Sequence, residues 1–92
     1  RKNMASFLFM SNTRGGNTGA KTEGYLFKRG AVNKDYKERY FRLYGSLMRY
    51  YKDEFAKNSL GEINLYTSLV VNSPMEKGFK VVSASRTFHL RA

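Results

Sequence analysis

The stretch Gly24–Lys52 constrains the fold most, because its pattern predicts three short antiparallel strands joined by two very different connections. The predicted strands are Gly24–Lys28, Tyr36–Tyr44 and Leu47–Lys52. Gly45-Ser46 separates the last two strands and is typical of a two-residue hairpin turn. Arg29–Asp35 separates the first two and is a seven-residue basic loop. The stretch therefore predicts a meander with one minimal turn and one long cationic loop.

Side chains alternate across a strand, so each predicted strand has one face that can enter a core. The apolar residues on these faces are Leu26, Phe41, Leu43 and Met48. The polar residues on the same faces are Lys28, Lys37, Arg39 and Tyr50. Since the strands are antiparallel, the four polar residues are expected together at one rim, above the apolar ones. Such a rim predicts a site for a multiply charged anion; the alternative is that charges near strand ends are simply solvated.

The composition fits one small β-rich domain with a polyanionic partner. The chain has 92 residues, 17 Lys and Arg against 7 Asp and Glu, and a formal charge of +10. Residues 1–42 hold 10 of the cations and 3 of the anions, a net of +7, which leaves +3 for residues 43–92. This asymmetry favours a polyanion approached from the side of the first loop, and does not distinguish nucleic acid from an acidic membrane.

The rest of the chain predicts an N-terminal extension and several more strands. Residues 1–20 are expected to be an extension, with an apolar part at Met4–Met10 and a Gly/Asn-rich linker at Ser11–Ala20. The folded unit is expected at residues 21–92. Its further strands are predicted at Leu60–Leu65, Phe79–Ser83 and Thr87–Arg91, with Ser68–Asn72 as either a strand or a buried connection. Six or seven short strands indicate a small barrel or sandwich.

The chain offers no recognisable catalytic or metal-binding pattern. It has no cysteine, and its single histidine, His89, is expected on the outward face of a strand without a partner that would make a nucleophile. The glycine motifs that cradle phosphates are missing, and the acids are scattered. We therefore expect a non-enzymatic protein without a cofactor or a metal. The lack of cysteine and of an apolar signal region predicts a cytoplasmic location.

Six segments in order resemble a pleckstrin homology (PH) domain over Glu23–Ala92. They are GYLFKRG, YKERYFRL, LMRYY, GEINL, FKVVS and RTFHLRA. The most specific part is a basic residue ending the first strand, Lys28, followed by Lys37-Glu38-Arg39-Tyr40-Phe41 opening the second. The resemblance implies a mostly β fold, a barrel of two roughly orthogonal antiparallel sheets plugged by a C-terminal helix. By this comparison residues 21–92 are expected to lack the last strand and that helix.

The resemblance also implies a function. In phosphoinositide-binding members of the family the matching basic positions clamp the inositol phosphates, which assigns this role to Lys28, Lys37 and Arg39, with help from Tyr50. Arg29, Val32 and Lys34 in the first loop are predicted as secondary membrane contacts. Leu60 occupies a position that is basic in members preferring highly phosphorylated headgroups, so strong trisphosphate selectivity is not expected. The implied protein is a peripheral membrane-recruitment module of a larger signalling or trafficking protein.

Two other functions are compatible with the same residues. One is a protein-interaction module that uses an exposed edge or loop of the barrel. The other, less favoured, is a basic barrel that binds single-stranded nucleic acid by base stacking. The tyrosines proposed for such stacking are Tyr25, Tyr36, Tyr40 and Tyr51.

Overall fold

The computed structural model describes residues 22–92, which contain seven β-strands and two short 3-10 helices. The strands are β1 (Thr22–Arg29), β2 (Tyr36–Tyr44), β3 (Leu47–Tyr51), β4 (Gly61–Asn64), β5 (Leu69–Ser73), β6 (Gly78–Val82) and β7 (Thr87–Arg91). The 3-10 helices are Leu65–Thr67 and Pro74–Glu76. The predicted extension and linker at residues 1–20, and the domain start at residue 21, lie outside the described residues.

The strands form one antiparallel sheet in the order β4-β3-β2-β1-β7-β6-β5. β1 and β2 pair over eight positions, whereas β1 and β7 pair over only two, Phe27 with Arg91 and Lys28 with Leu90. The short β1–β7 ladder therefore joins a four-stranded part, β1–β4, to a three-stranded part, β5–β7. The predicted mostly β, antiparallel architecture is confirmed, and its two parts are hydrogen-bonded to each other along this ladder.

The expected loss of the last strand is wrong. Leu69–Ser73, for which a strand and a buried connection were both considered, pairs with β6 at five positions and completes the set of seven. Thr87–Arg91 is the seventh strand. The described residues contain no α-helix, in keeping with the predicted lack of the family's C-terminal helix.

The hairpin between β2 and β3 has the predicted two-residue turn. Tyr44 pairs with Leu47, and Gly45 between them has a φ of 61°, a conformation that favours glycine over residues with a side chain. The loop between β1 and β2 is shorter than predicted, because β1 continues through Arg29. The loop therefore covers residues 30–35.

The predicted core face is confirmed. Leu26, Phe41 and Met48 have no exposed surface, and Leu43 is 2 % exposed. The other buried members of the cluster are Tyr50, Ile63, Val81, Phe88 and Leu90, which come from both parts of the sheet. Truncating a buried Leu, Met or Phe side chain to alanine typically costs about 2–5 kcal/mol, so this shared cluster holds the two parts together.

Candidate anion-binding site

Three predicted cations meet at the mouth of the barrel. The β1–β2 register places Lys28 opposite Lys37 and Leu26 opposite Arg39, so the cations stand on the core-facing side and above the buried residues. Lys28, Lys37 and Arg39 line one pocket of about 160 Å³ together with loop residues Gly30, Asn33 and Asp35. Like charges directly opposite each other destabilise a strand pair. An anion in this pocket would remove that repulsion.

Lys28 is the deepest of these cations. Its ammonium nitrogen lies 4.8 Å from the centre of the Tyr50 ring and 5.8 Å from that of the Phe88 ring. Burial, followed by the charges of Arg86 and Arg39, lowers the pKa of Lys28 from 10.5 to about 8. The charged form of Lys28 is therefore disfavoured by its surroundings, and a bound anion would stabilise it.

Tyr50 forms the floor under Lys28 rather than part of the rim. It is 8 % exposed, and its ring packs 5.6 Å from Phe41 and 6.5 Å from Phe88, measured between ring centres. Its phenol lies against Gly61, where a Cβ atom would collide with the hydroxyl oxygen. Tyr50 is thus in contact with the site through Lys28, but it does not line the pocket as Lys37 does.

Arg86 is a further cation at this mouth that the sequence analysis did not select. It lies in the turn between β6 and β7, with its guanidinium 4.3 Å from the centre of the Phe88 ring. The Ser83 hydroxyl donates to the Arg86 carbonyl at 2.7 Å and accepts from the Arg86 amide at 3.2 Å, which fixes the turn. Arg86 is the stronger of the two charges acting on Lys28. Its only sequence signal is a lone cation in a serine-rich turn.

The β1–β2 loop brings an acid into the pocket. The Gly30 amide donates to the Asp35 carbonyl at 3.3 Å, and the Asp35 amide donates to the Asn33 side chain at 3.0 Å. These bonds close the loop and place Asp35 among the pocket residues. Val32 and Lys34 are exposed, Val32 to 94 %. The predicted secondary contacts Val32 and Lys34 are therefore accessible.

Arg29 is not part of the loop or the pocket. As the last residue of β1 it follows Lys28 and faces the other side of the sheet. Its guanidinium donates to His89 Nε2 at 2.8 Å, and His89 Nδ1 lies 2.9 Å from a Glu76 carboxylate oxygen. His89 is on the outer face of β7, as predicted.

The tyrosines considered for base stacking have intramolecular neighbours. Tyr25 and Tyr40 pack edge to face with ring centres 4.8 Å apart, and the Arg42 guanidinium lies over both Tyr40 and Tyr51. Tyr51 is buried, and the Arg91 guanidinium lies 3.6 Å from the centre of the Tyr36 ring. This outer face is a packed Tyr–Arg cluster and does not resemble an open stacking platform.

Residues 22–92 hold no group of three or more His, Cys, Asp or Glu side chains placed to bind a metal ion. In the same part of the chain no helix is long and apolar enough to cross a membrane.

Comparison with known proteins agrees with this architecture. The family profile described as "PH domain" matches residues 20–92. The RAC family serine/threonine-protein kinase homolog of Dictyostelium discoideum is 42% identical over 74 residues, which are 76% of this chain and 17% of that protein. The chain thus spans about one sixth of that relative.

Solved structures show the same likeness. The C-terminal PH domain of pleckstrin, in complex with D-myo-Ins(1,2,3,5,6)P5, has a TM-score of 0.72 and 30% identity over 82% of this chain and 81% of that one. The PH domain of human TBC1 domain family member 2 has a TM-score of 0.71 and 25% identity, covering 84% of this chain and 70% of that one.

Proposed function

The chain belongs to the PH domain family, and on that premise we propose that it binds the phosphorylated headgroup of a phosphoinositide. Through that binding it recruits a larger signalling or trafficking protein to the surface of an anionic membrane. Residues 21–92 act as the binding unit and carry no catalytic step of their own.

The observation that carries this proposal is the pocket shared by Lys28, Lys37 and Arg39. The pocket lies at the mouth of the barrel and opens beside an exposed loop, where a headgroup can enter while its lipid stays in the bilayer. Arg86 adds a fourth cation from the opposite part of the sheet. A headgroup with several phosphates can bridge cations that come from two neighbouring strands, β1 and β2, and from the turn between β6 and β7.

The cations differ in what they offer a phosphate. Arg39 can donate two parallel hydrogen bonds, although its Nη1 now donates to the Glu38 carbonyl at 2.9 Å. Lys28 and Lys37 act as point charges. Because the pKa of Lys28 is lowered to about 8, a phosphate that contacts its ammonium would raise this pKa back towards 10.5. Binding would therefore take up protons when measured near pH 8.

The first loop supplies the second, weaker contribution. Lys34 is exposed beside the mouth, and a cation near an anionic leaflet contributes about 1 kcal/mol. Val32 at the exposed tip is placed to insert into the interface. Arg29, predicted for the same role, is held by His89 on the outer face. Tyr50 supports Lys28 from below.

Two further facts bear on the headgroup. The C-terminal PH domain of pleckstrin forms complexes with two inositol pentakisphosphates, which supports an inositol phosphate as the ligand class. Leu60, directly before Gly61, is exposed and offers no charge to an additional phosphate. We propose a headgroup preference without strong selectivity for a trisphosphate.

Liposome co-sedimentation tests the proposal. The chain is mixed with phosphatidylcholine and phosphatidylserine vesicles, with or without a phosphoinositide. The double variant Lys28→Ala, Arg39→Ala should lose the phosphoinositide-dependent fraction. Arg49→Gln, Lys57→Gln is the matched control, because neither residue lines the pocket and their loss removes two charges elsewhere. Unchanged sedimentation of the double variant would refute the pocket.

A single-stranded oligonucleotide titrated over a salt series provides the comparison with nucleic-acid binding. Binding to nucleic acid falls steeply with salt and does not depend on the headgroup. Tight oligonucleotide binding that survives loss of Lys28 and Arg39 would favour that other function.

A further inference from the structure

Three hydrogen-bonded side chains on the outer face of the barrel link β1 to β7 and to the second 3-10 helix. They are Arg29, His89 and Glu76. Arg29 Nη2 lies 2.8 Å from His89 Nε2, and His89 Nδ1 lies 2.9 Å from Glu76 Oε1. The three side chains contact one another, and none of them lines the anion pocket. The headgroup site therefore does not explain why these three side chains are hydrogen-bonded together.

The protonation state of His89 in this arrangement follows from its partners. A guanidinium has only donors, so His89 Nε2 must accept and cannot carry a proton. Nδ1 then carries the ring proton and donates it to the Glu76 carboxylate. The hydrogen bond from His89, together with the nearby charges of Lys80 and Arg29, lowers the pKa of Glu76, which keeps that carboxylate ionised. The hydrogen bonds from Arg29 to His89 and from His89 to Glu76 thus require a neutral imidazole.

The surroundings of His89 are mostly cationic. The charged and titratable groups that share this outer face are Arg29 from β1, Tyr36 and Glu38 from β2, Lys80 from β6, Arg91 from β7, and Glu76 from the 3-10 helix. Glu76 is the acid that contacts His89. A second proton on His89 would place a cation directly against Arg29, and the hydrogen bond between them would be lost because both groups would be donors.

Arg29 lies next to the anion pocket in sequence, so its release from His89 would change the charge near that pocket. It follows Lys28 and precedes Gly30, two residues that line the anion pocket. As the last residue of β1 it lies directly beside the first loop, residues 30–35. A released guanidinium would add one charge next to the headgroup site.

We propose that His89 is a positioning residue that withholds Arg29 from the anionic membrane at neutral pH and releases it on acidification. The proposal rests on the proposed function, since it concerns the membrane surface that the anion site approaches. Histidine is the side chain that ordinarily changes charge between pH 5 and 8. Membrane binding of the domain should therefore strengthen as the pH falls through that range.

The experiment compares the wild-type chain with His89→Gln and Arg29→Gln at pH 7.5 and pH 5.5. Glutamine can accept from Arg29 and donate to Glu76 without ever gaining a charge. Vesicles contain phosphatidylserine with a phosphoinositide, and the ratio of wild-type to His89→Gln binding is the readout. This ratio removes the effect of the headgroup phosphates, which themselves gain protons near pH 6. Thermal melting of each variant shows that it is folded.

We expect the wild type to gain about five-fold over His89→Gln at pH 5.5, as one added cation near the leaflet would give, and Arg29→Gln to show no such gain. Equal pH profiles of the wild type and His89→Gln, with binding to phosphoinositide intact, would overturn the inference and leave the proposed function standing. Loss of all vesicle binding at both pH values would instead overturn the proposed function.

Nitrogen NMR of His89 tests the Arg29–His89–Glu76 hydrogen bonds directly, whether or not the protein binds vesicles. The proton is expected on Nδ1 at pH 7.5, and the Arg29 guanidinium signal should shift when His89 gains its second proton. A proton on Nε2 at pH 7.5 would contradict the arrangement.

Discussion

The Lys28 ammonium lies 4.8 Å from the centre of the Tyr50 ring, so the deepest cation of the anion site rests on the hydrophobic core. A cation over an aromatic face gains some electrostatic energy, but it loses hydration. Burial, followed by the charges of Arg86 and Arg39, lowers the pKa of Lys28 to about 8, so its charged form is disfavoured at this position. Binding and stability are therefore opposed at this residue.

Lys28→Met should stabilise the fold while it weakens headgroup binding. Methionine keeps the length of the side chain and removes the charge that burial, Arg86 and Arg39 disfavour. After allowance for solvent screening, we expect a gain of about 1 kcal/mol at pH 7, which is about 4–8 °C in Tm for a domain of this size. Thermal denaturation and vesicle binding measure the two effects.

The lowered pKa of Lys28 also predicts how the stability gain of Lys28→Met changes with pH. The folded-state pKa of Lys28, about 8, is below the 10.5 of the unfolded chain, so the unfolded state binds more protons between these values. The advantage of Lys28→Met should be complete below about pH 8 and disappear as the pH rises towards 10.5. A constant difference between the two proteins from pH 7 to 10.5 would contradict the buried cost of Lys28.

The sequence predicts the site only as far as local pairing determines it. Alternation and the tight Gly45-Ser46 turn fix the register of β2 and β3, and the basic residues of β1 and β2 follow from the same alternation. Arg86 reaches the mouth only because β7 returns beside β1 through a two-position ladder, which no local pattern reveals. For the same reason the contact between Arg29 and His89, 60 residues apart, could not be predicted.

The burial of Tyr50 could not be predicted from the sequence either. Alternation placed it on the correct face, but its burial depends on Phe88 from the other part of the sheet and on the missing side chain at Gly61. The pattern thus gave the direction of the side chain and not its distance from the surface.

Arg86→Gln should weaken headgroup binding about tenfold, the effect of losing one charge-assisted contact of about 1.4 kcal/mol. It should also raise the pKa of Lys28, because Arg86 is the larger of the two charges that lower it. Calorimetry with a soluble inositol phosphate gives the affinity, and NMR titration of the Lys28 side chain gives the pKa. Arg49→Gln is the control for net charge. An unchanged Lys28 pKa would place Arg86 outside the site.

Asp35→Asn should strengthen headgroup binding. Asp35 lines the same pocket as three cations, and its carboxylate repels a phosphate that enters. Asparagine keeps the shape and leaves the two backbone bonds of Asp35 in place. We expect an increase of about five-fold, corresponding to about 1 kcal/mol, and a smaller increase at high salt. Glu62→Gln removes a charge from the outer face and should have little effect; an equal increase there would show that only net charge matters.

Gly61→Ala should destabilise the fold by about 1–3 kcal/mol, because the added Cβ atom meets the Tyr50 hydroxyl and forces the ring to move. The displaced ring would also disturb the floor under Lys28 and weaken headgroup binding. Combining Gly61→Ala with Tyr50→Phe should recover part of the stability, since the first colliding atom is then missing. Additive losses in the double variant would show that Tyr50 is not the obstacle.

Val32→Asp should separate membrane contact from headgroup recognition. Val32 is 94 % exposed at the tip of the first loop and does not line the pocket, so soluble inositol phosphate should bind with unchanged affinity. On anionic vesicles the carboxylate both repels the leaflet and resists entry into its interface, and we expect binding to fall about tenfold. Val32→Ala, which loses only apolar surface, should fall less. If Val32→Asp weakens the soluble ligand as much as it weakens vesicle binding, the loop acts by shaping the pocket and does not enter the membrane.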